Sequence, residues 1–112
     1  MSNLVVRNGT VVDGTGRPAF VADVVIVDGR ITAVGTRADV AHAIPADGTV
    51  EEIDATGLLV TPGWVDIHTH YDGQVTWDDL LAPSAWHGFT TMVMGNCGVG
   101  FAPAAPDRHD WL

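Results

Sequence analysis

The stretch GWVDIHTHYDG, residues 63–73, governs how the rest of this chain is read, because two histidines stand one residue apart at the end of a short apolar run. Side chains alternate along an extended strand, so His68 and His70 are expected on one face and Thr69 on the other. Their imidazoles are then close enough to share an ion, and imidazole is the commonest protein ligand for zinc and similar divalent metals. A short H-x-H pattern can also simply pack or hydrogen-bond. The surroundings favour metal: PGWVD leads into the pair, and a Gly-rich turn with the only cysteine, Cys97, follows it.

Working outward, WVDIHTH begins apolar and turns polar, APSAWHG (82–88) reads as a short helix, and FTTMVMGNCG (89–98) reads as a second buried strand. Pro83 suits a helix's first turn, where its missing N–H costs nothing, and Gly88 suits its stop. Strand, crossover helix, strand is the pattern of a parallel βαβ unit. Functional groups in such sheets collect at the carboxyl ends of the strands. His68, His70 and Cys97 all fall there. A thiolate from Cys97 could join the imidazoles, although a lone cysteine is as readily a small buried residue or a nucleophile.

Upstream, the texture is that of short strands and glycine turns. Leu4–Val6 and Thr10–Val12 flank Asn8-Gly9, and Val24–Val27 and Arg30–Val34 flank Asp28-Gly29, so two hairpins are expected. Thr36–Thr49 reads as a loop with a short helical turn, after which VEEIDATGLLVTPG returns to strand patterning. The organisation expected is a small β-rich, sandwich-type domain over residues 1–62, then an α/β segment over 63–112. GTGRP (14–18) lacks the third glycine of a dinucleotide fingerprint and reads as a turn.

Composition narrows the partners. With 46% hydrophobic and 17% charged residues the chain is expected to be globular. Its formal charge of -9 argues against nucleic acid, whose phosphates need Lys and Arg to neutralise them. No basic leader with an apolar core and no run of ~18 apolar residues occurs, so no membrane association and a cytoplasmic location are expected. One cysteine excludes an intrachain disulfide framework.

The residues also carry a family likeness. VTPGWVDIHTHYDG resembles the first barrel strand of the amidohydrolase superfamily, and GFTTMVMGNCGVGFAP resembles its N-acyl-D-amino-acid deacylase (D-aminoacylase) branch, with Gly95, Asn96, Cys97 and Gly98 matching in order. The resemblance implies an α/β fold in which a small β-rich part precedes a metal-dependent (β/α)8 TIM barrel. A barrel takes ~250 residues, so a segment reaching about two barrel strands is expected here. It implies His68, His70 and Cys97 as ligands of one or two zinc ions, and a small N-acyl amino acid as substrate. The products would be a carboxylate and a D-amino acid. The family's remaining histidines and catalytic aspartate have no matching positions, so no catalytic residue is assigned and the 112 residues alone are expected to be inactive. A cyclic-amide hydrolase of the dihydropyrimidinase or dihydroorotase kind is the alternative, and a non-catalytic metal-binding fragment is a third reading.

Other polar residues have ordinary readings beside them. Asp66 shares the face of His68 and could orient an imidazole or serve the strand. Asp72, Asp78 and Asp79 are expected to cap a helix or face solvent. His42, His87 and His109 are given surface or packing roles, and Trp64, Trp77, Trp86 and Trp111 are expected to fill an interface between the β-layer and the barrel start.

Overall fold

The computed structural model describes residues 3–46, 48–97 and 105–111, the last three by backbone alone. The chain divides into two compact units, Met1–Pro62 and Gly63–Leu112.

In the first unit, β1 (Asn3–Val11), β2 (Phe20–Val27), β3 (Arg30–Gly35), β4 (Val50–Asp54) and β5 (Leu59–Val60) make one five-stranded sheet rather than a facing pair of sheets. The order is β3-β2-β1-β4, and β5 also pairs with β1. The Asp28-Gly29 hairpin is present: φ is 50° at Asp28 and 77° at Gly29, the two positive values a tight primed turn needs. Asn8-Gly9 does something else. The expected first hairpin is absent, and β1 runs straight through with a register shift between Val6 and Gly9, a β-bulge.

Local chemistry explains the difference. Asn8 takes the left-handed conformation (φ 58°), its N–H donates to Asp23 Oδ1 at 2.8 Å, and its carboxamide donates to Asp54 Oδ1 at 3.3 Å. Gly9 lies so close to β5 that a Cβ there would meet Val60 Cγ2 at 2.3 Å. The bulge adds one residue and so changes the alternation. Val6 and Val11, five apart, pack in the same cluster around Ala22 and Val24, whereas an unbroken strand would turn them to opposite faces. Val5 and Val25 pack on Val40 in a second cluster.

Val40 comes from α1 (Arg37–Val40), started by a capping box in which Thr36 Oγ1 accepts the Asp39 N–H and the Asp39 carboxylate accepts the Thr36 N–H. Arg7 is buried beside the first cluster's strands, donating to Asp23 Oδ2 at 2.8 Å and to Glu52. These two carboxylates, Glu52 first, raise the guanidinium's already high pKa. The GTGRP stretch is a turn, with positive φ at Gly14 and Gly16.

The second unit holds β6 (Trp64–Asp66), α2 (Tyr71–Gln74), a 3-10 turn over Ser84–His87, β7 (Phe89–Met92) and a last 3-10 turn over Pro106–Trp111. β6 and β7 are parallel, with Trp64 opposite Phe89 and Asp66 opposite Met92, and the helical turns lie between them in sequence. Gly88 ends its turn in the left-handed conformation (φ 83°), as expected of a helix stop. β7 is not the buried strand anticipated, and Trp64, Trp77 and Trp86 are exposed. A sheet of two strands leaves its faces open, and no other strand of this unit covers them among the described residues. The side chains of His109 and Trp111 lie outside the described residues. No helix among the described residues is long and apolar enough to cross a membrane.

Candidate metal centre

β6 stops at Asp66, so His68 and His70 do not sit on a strand as the alternation argument required. The cause is Asp66 itself: its Oδ1 accepts the His68 N–H at 3.0 Å, turning the backbone out of the ladder. Asp66 thus shapes the loop through the main chain. The sense of the alternation survives the turn. Thr69 is buried, with its hydroxyl donating to the Val93 carbonyl at 2.8 Å, while both imidazoles are exposed. Their rings are nearly parallel, 6° apart in plane with centroids 6.2 Å apart.

Cys97 lies in the bend after β7, partly buried. The Val93 N–H donates to the Asp66 carbonyl at 2.8 Å, extending the β6–β7 ladder by one bond and bringing the two loops side by side. The result is that one ligand atom each from His68, His70 and Cys97 all lie within 4.8 Å of one another. Around a tetrahedral zinc, with N at ~2.0–2.1 Å and S at ~2.3 Å, donor atoms stand about 3.3–3.7 Å apart. Two imidazole nitrogens and one cysteine sulfur are a donor set that would suit zinc.

Beside the histidines is a cleft of about 270 Å³, walled in part by Tyr71, Gln74 and Ser84. Sequence reasoning passed over these residues. Tyr71 is buried, its hydroxyl 3.0 Å from the Leu81 carbonyl and 2.7 Å from Ser84 Oγ, and it accepts the Ser84 N–H at 3.2 Å. Gln74 donates to Asp78 Oδ2 and the Ala82 carbonyl, each at 2.7 Å. The Gln74 amide and the Leu80 N–H hold Asp78 below the usual carboxylate range. Asp78 therefore organises its own loop, and Asp79 is exposed, in keeping with capping or solvent roles. Asp72 opens α2, and one of its carboxylate oxygens is buried without a partner among the described residues. His42 and His87 are exposed at 3-10 turns and stand outside the ligand group. A tyrosine right after H-x-H could have been noted, but its partners come from a loop with no periodic signal.

The chain is similar to known proteins over most of its length. The family model described as "Amidohydrolase family" matches residues 51–112. The chain is 41% identical over 102 residues to an N-acyl-D-aspartate deacylase of Alcaligenes xylosoxydans xylosoxydans, covering 91% of this chain and 19% of that protein. The crystal structure of the N-acyl-D-glutamate deacylase from Bordetella bronchiseptica, complexed with zinc and a phosphonate inhibitor, is similar with a TM-score of 0.70 and 38% identity. That match covers 90% of this chain and 20% of the other. Dihydropyrimidinase 1 of Caenorhabditis briggsae is 43% identical over 100 residues, 84% of this chain and 19% of its own. The chain spans about a fifth of the length of the curated relatives it matches.

Proposed function

The chain belongs to the amidohydrolase family, and from that premise we propose that it contributes the first metal ligands of a zinc-dependent hydrolase of linear amides. The substrate is an N-acyl-D-amino acid and the products are a carboxylate and the D-amino acid. In this reading residues 1–62 belong to a composite β domain and residues 63–112 form the opening βαβ segment of the barrel domain. His68, His70 and Cys97 are the ligands, the metal is one or two zinc ions, and a cytoplasmic location belongs to the same proposal.

The observation that carries the reading is the meeting of two imidazoles and one thiol from separate loops within 4.8 Å. Zinc held there would supply a Lewis acid to polarise an acyl carbonyl and would lower the pKa of a water towards ~7. This chain's residues hold and orient: His68 and His70 present neutral nitrogen lone pairs, and Cys97 adds charge as well as softness, which favours retention. The cleft beside them is open to a small molecule. No carboxylate joins the three ligands among the described residues, so the general base of the hydrolysis is not assigned here, and the 112 residues alone are proposed to be inactive.

Metal analysis of dialysed variants tests the ligand roles. In the complete enzyme Cys97→Ala is expected to lose zinc and activity together, whereas His70→Ala keeps one tightly bound ion and loses a weaker one. Turnover of N-acetyl-D-glutamate by the metal-loaded 112-residue chain, abolished by His68→Ala, would refute the proposed inactivity. The likeness to dihydropyrimidinase supports a second reading, hydrolysis of cyclic amides. Wild-type zinc and activity in Cys97→Ala would make the cysteine a packing residue and move that reading ahead.

A further inference from the structure

We infer that Asn96 is a positioning residue that sets the distance between Cys97 and the two histidines, so that the thiolate joins the imidazoles on one ion. The inference rests on the metal reading above and deepens it. Three ligands on two separate loops have no fixed spacing unless something ties the loops together. The β6–β7 ladder ends with Val93, four residues before Cys97. Beyond that point the tie between the loops is a side chain: the Asn96 carboxamide donates to the Ile67 carbonyl.

The placement is specific. Asn96 immediately precedes one ligand, and Ile67 immediately precedes another, so a single hydrogen bond clamps the backbone of Cys97 to that of His68. Thr69 makes the reciprocal tie from between the histidines to the Val93 carbonyl. The two bonds differ in surroundings. Thr69 is buried and belongs to the packing of the unit, whereas Asn96 is exposed and its side chain fills no core. An exposed side chain adds little to stability, so the work of this bond is geometric. Partners that orient ligands without touching the metal commonly change metal affinity by about 10–100-fold.

Cobalt(II) titration of the 112-residue chain tests the inference, because thiolate ligation to cobalt gives a charge-transfer band that imidazole ligation does not. Wild type is expected to show the band and Cys97→Ser to lose it. Asn96→Asp keeps the size, removes the donor and sets a carboxylate against the Ile67 carbonyl. It is expected to bind cobalt about 10–100-fold more weakly and to lose most of the band, with unchanged far-ultraviolet circular dichroism. Asn96→Ala should do the same, and Thr69→Ser, which keeps its hydroxyl donor, should retain the band. Wild-type affinity and band in both Asn96 variants would overturn the inference and leave the metal reading intact. Unfolding of both would also overturn it, by making Asn96 a residue of the fold. Absence of the band in wild type would remove the metal reading and this inference together.

Discussion

Replacing Gly63 by alanine isolates the contact that brings β6 against β7. The backbone at Gly63 is not in the left-handed region, so alanine carries no conformational penalty and any cost is steric. A Cβ at position 63 would lie 2.2 Å from both Thr90 Cγ2 and Thr90 Oγ1 and 2.7 Å from Thr90 Cβ. Rotating the threonine moves the first two atoms and leaves the third. Restoring a normal carbon contact of ~3.5–4.0 Å then requires the strands to separate by about 1 Å. That strains the neighbouring bond from the Trp64 N–H to the Gly88 carbonyl, 3.0 Å long. Overpacking of this kind costs about 2 kcal/mol, within the usual range of 1–3. With an m-value of ~1 kcal/mol/M for a small unit, the urea midpoint should fall by about 2 M. The assay is clean, since all four tryptophans and the only tyrosine lie at or after position 64 and fluorescence therefore follows the second unit alone. Thr90→Ala keeps the offending Cβ and should not rescue Gly63→Ala. Thr90→Gly removes it, and the double variant should match Thr90→Gly alone. A Gly63→Ala midpoint equal to wild type, or a rescue by Thr90→Ala as full as that by Thr90→Gly, would refute the steric argument.

Arg7→Met should destabilise the first unit by about 3 kcal/mol, because it leaves the buried Asp23 carboxylate only the exposed Arg37 guanidinium, 3.8 Å away; adding Asp23→Asn should recover part of the loss, read by circular dichroism. Acid should weaken the same unit. Burial alone would push the Asp23 carboxyl up, but the Asn8 N–H, Arg7 and Arg37 together hold it below its ordinary value. Its contribution is therefore complete above about pH 4 and lost as pH falls through the lowered value, so melts at pH 7, 5 and 3 should show the drop only in the last step. Val21, Ile31 and Leu59 are each about two-thirds exposed on an open sheet with β3 at one edge, and association rising with concentration should appear in sedimentation. Ile31→Lys should reduce it, and a concentration-independent monomer would contradict the expectation.

Much of the fold is readable in the sequence where a local rule has no competitor. Asp28-Gly29 makes its hairpin, with positive φ at both residues and no side-chain hydrogen bond drawing either elsewhere among the described residues. Asn8-Gly9 has the same chemistry and a different outcome, because Asp23 and Asp54, 15 and 46 residues away, capture the Asn8 amide groups. No reading of short windows contains those partners. At the site, His68, His70 and Cys97 are legible as a group, yet the strand reasoning that aligned the histidines was incorrect, since Asp66 ends the strand before them. Thr69 and Asn96 leave no periodic trace, being meaningful only once the two loops lie side by side. Trp64, Trp77 and Trp86 mislead for the opposite reason: large apolar side chains signal burial, and the two strands of the second unit among the described residues offer little to bury them.

The bulge in β1 bears on how this sequence aligns with others. A strand is a two-letter code of inward and outward positions, and the extra residue at Asn8 acts as a frameshift that folding corrects in space. Upstream of it even-numbered positions such as Val6 read into the cluster around Val24; downstream the odd-numbered Val11 does. A homologue one residue shorter at this point, with a regular strand in place of the bulge, keeps the counterparts of Val6 and Val11 on the same face, whereas one of equal length without the bulge would turn the counterpart of Val11 outward. A gap placed at Asn8 therefore removes the bulge and leaves the pattern of inward positions as it is. It predicts a regular strand opposite β2, whereas a single-residue gap elsewhere within β1 would reface every position beyond it.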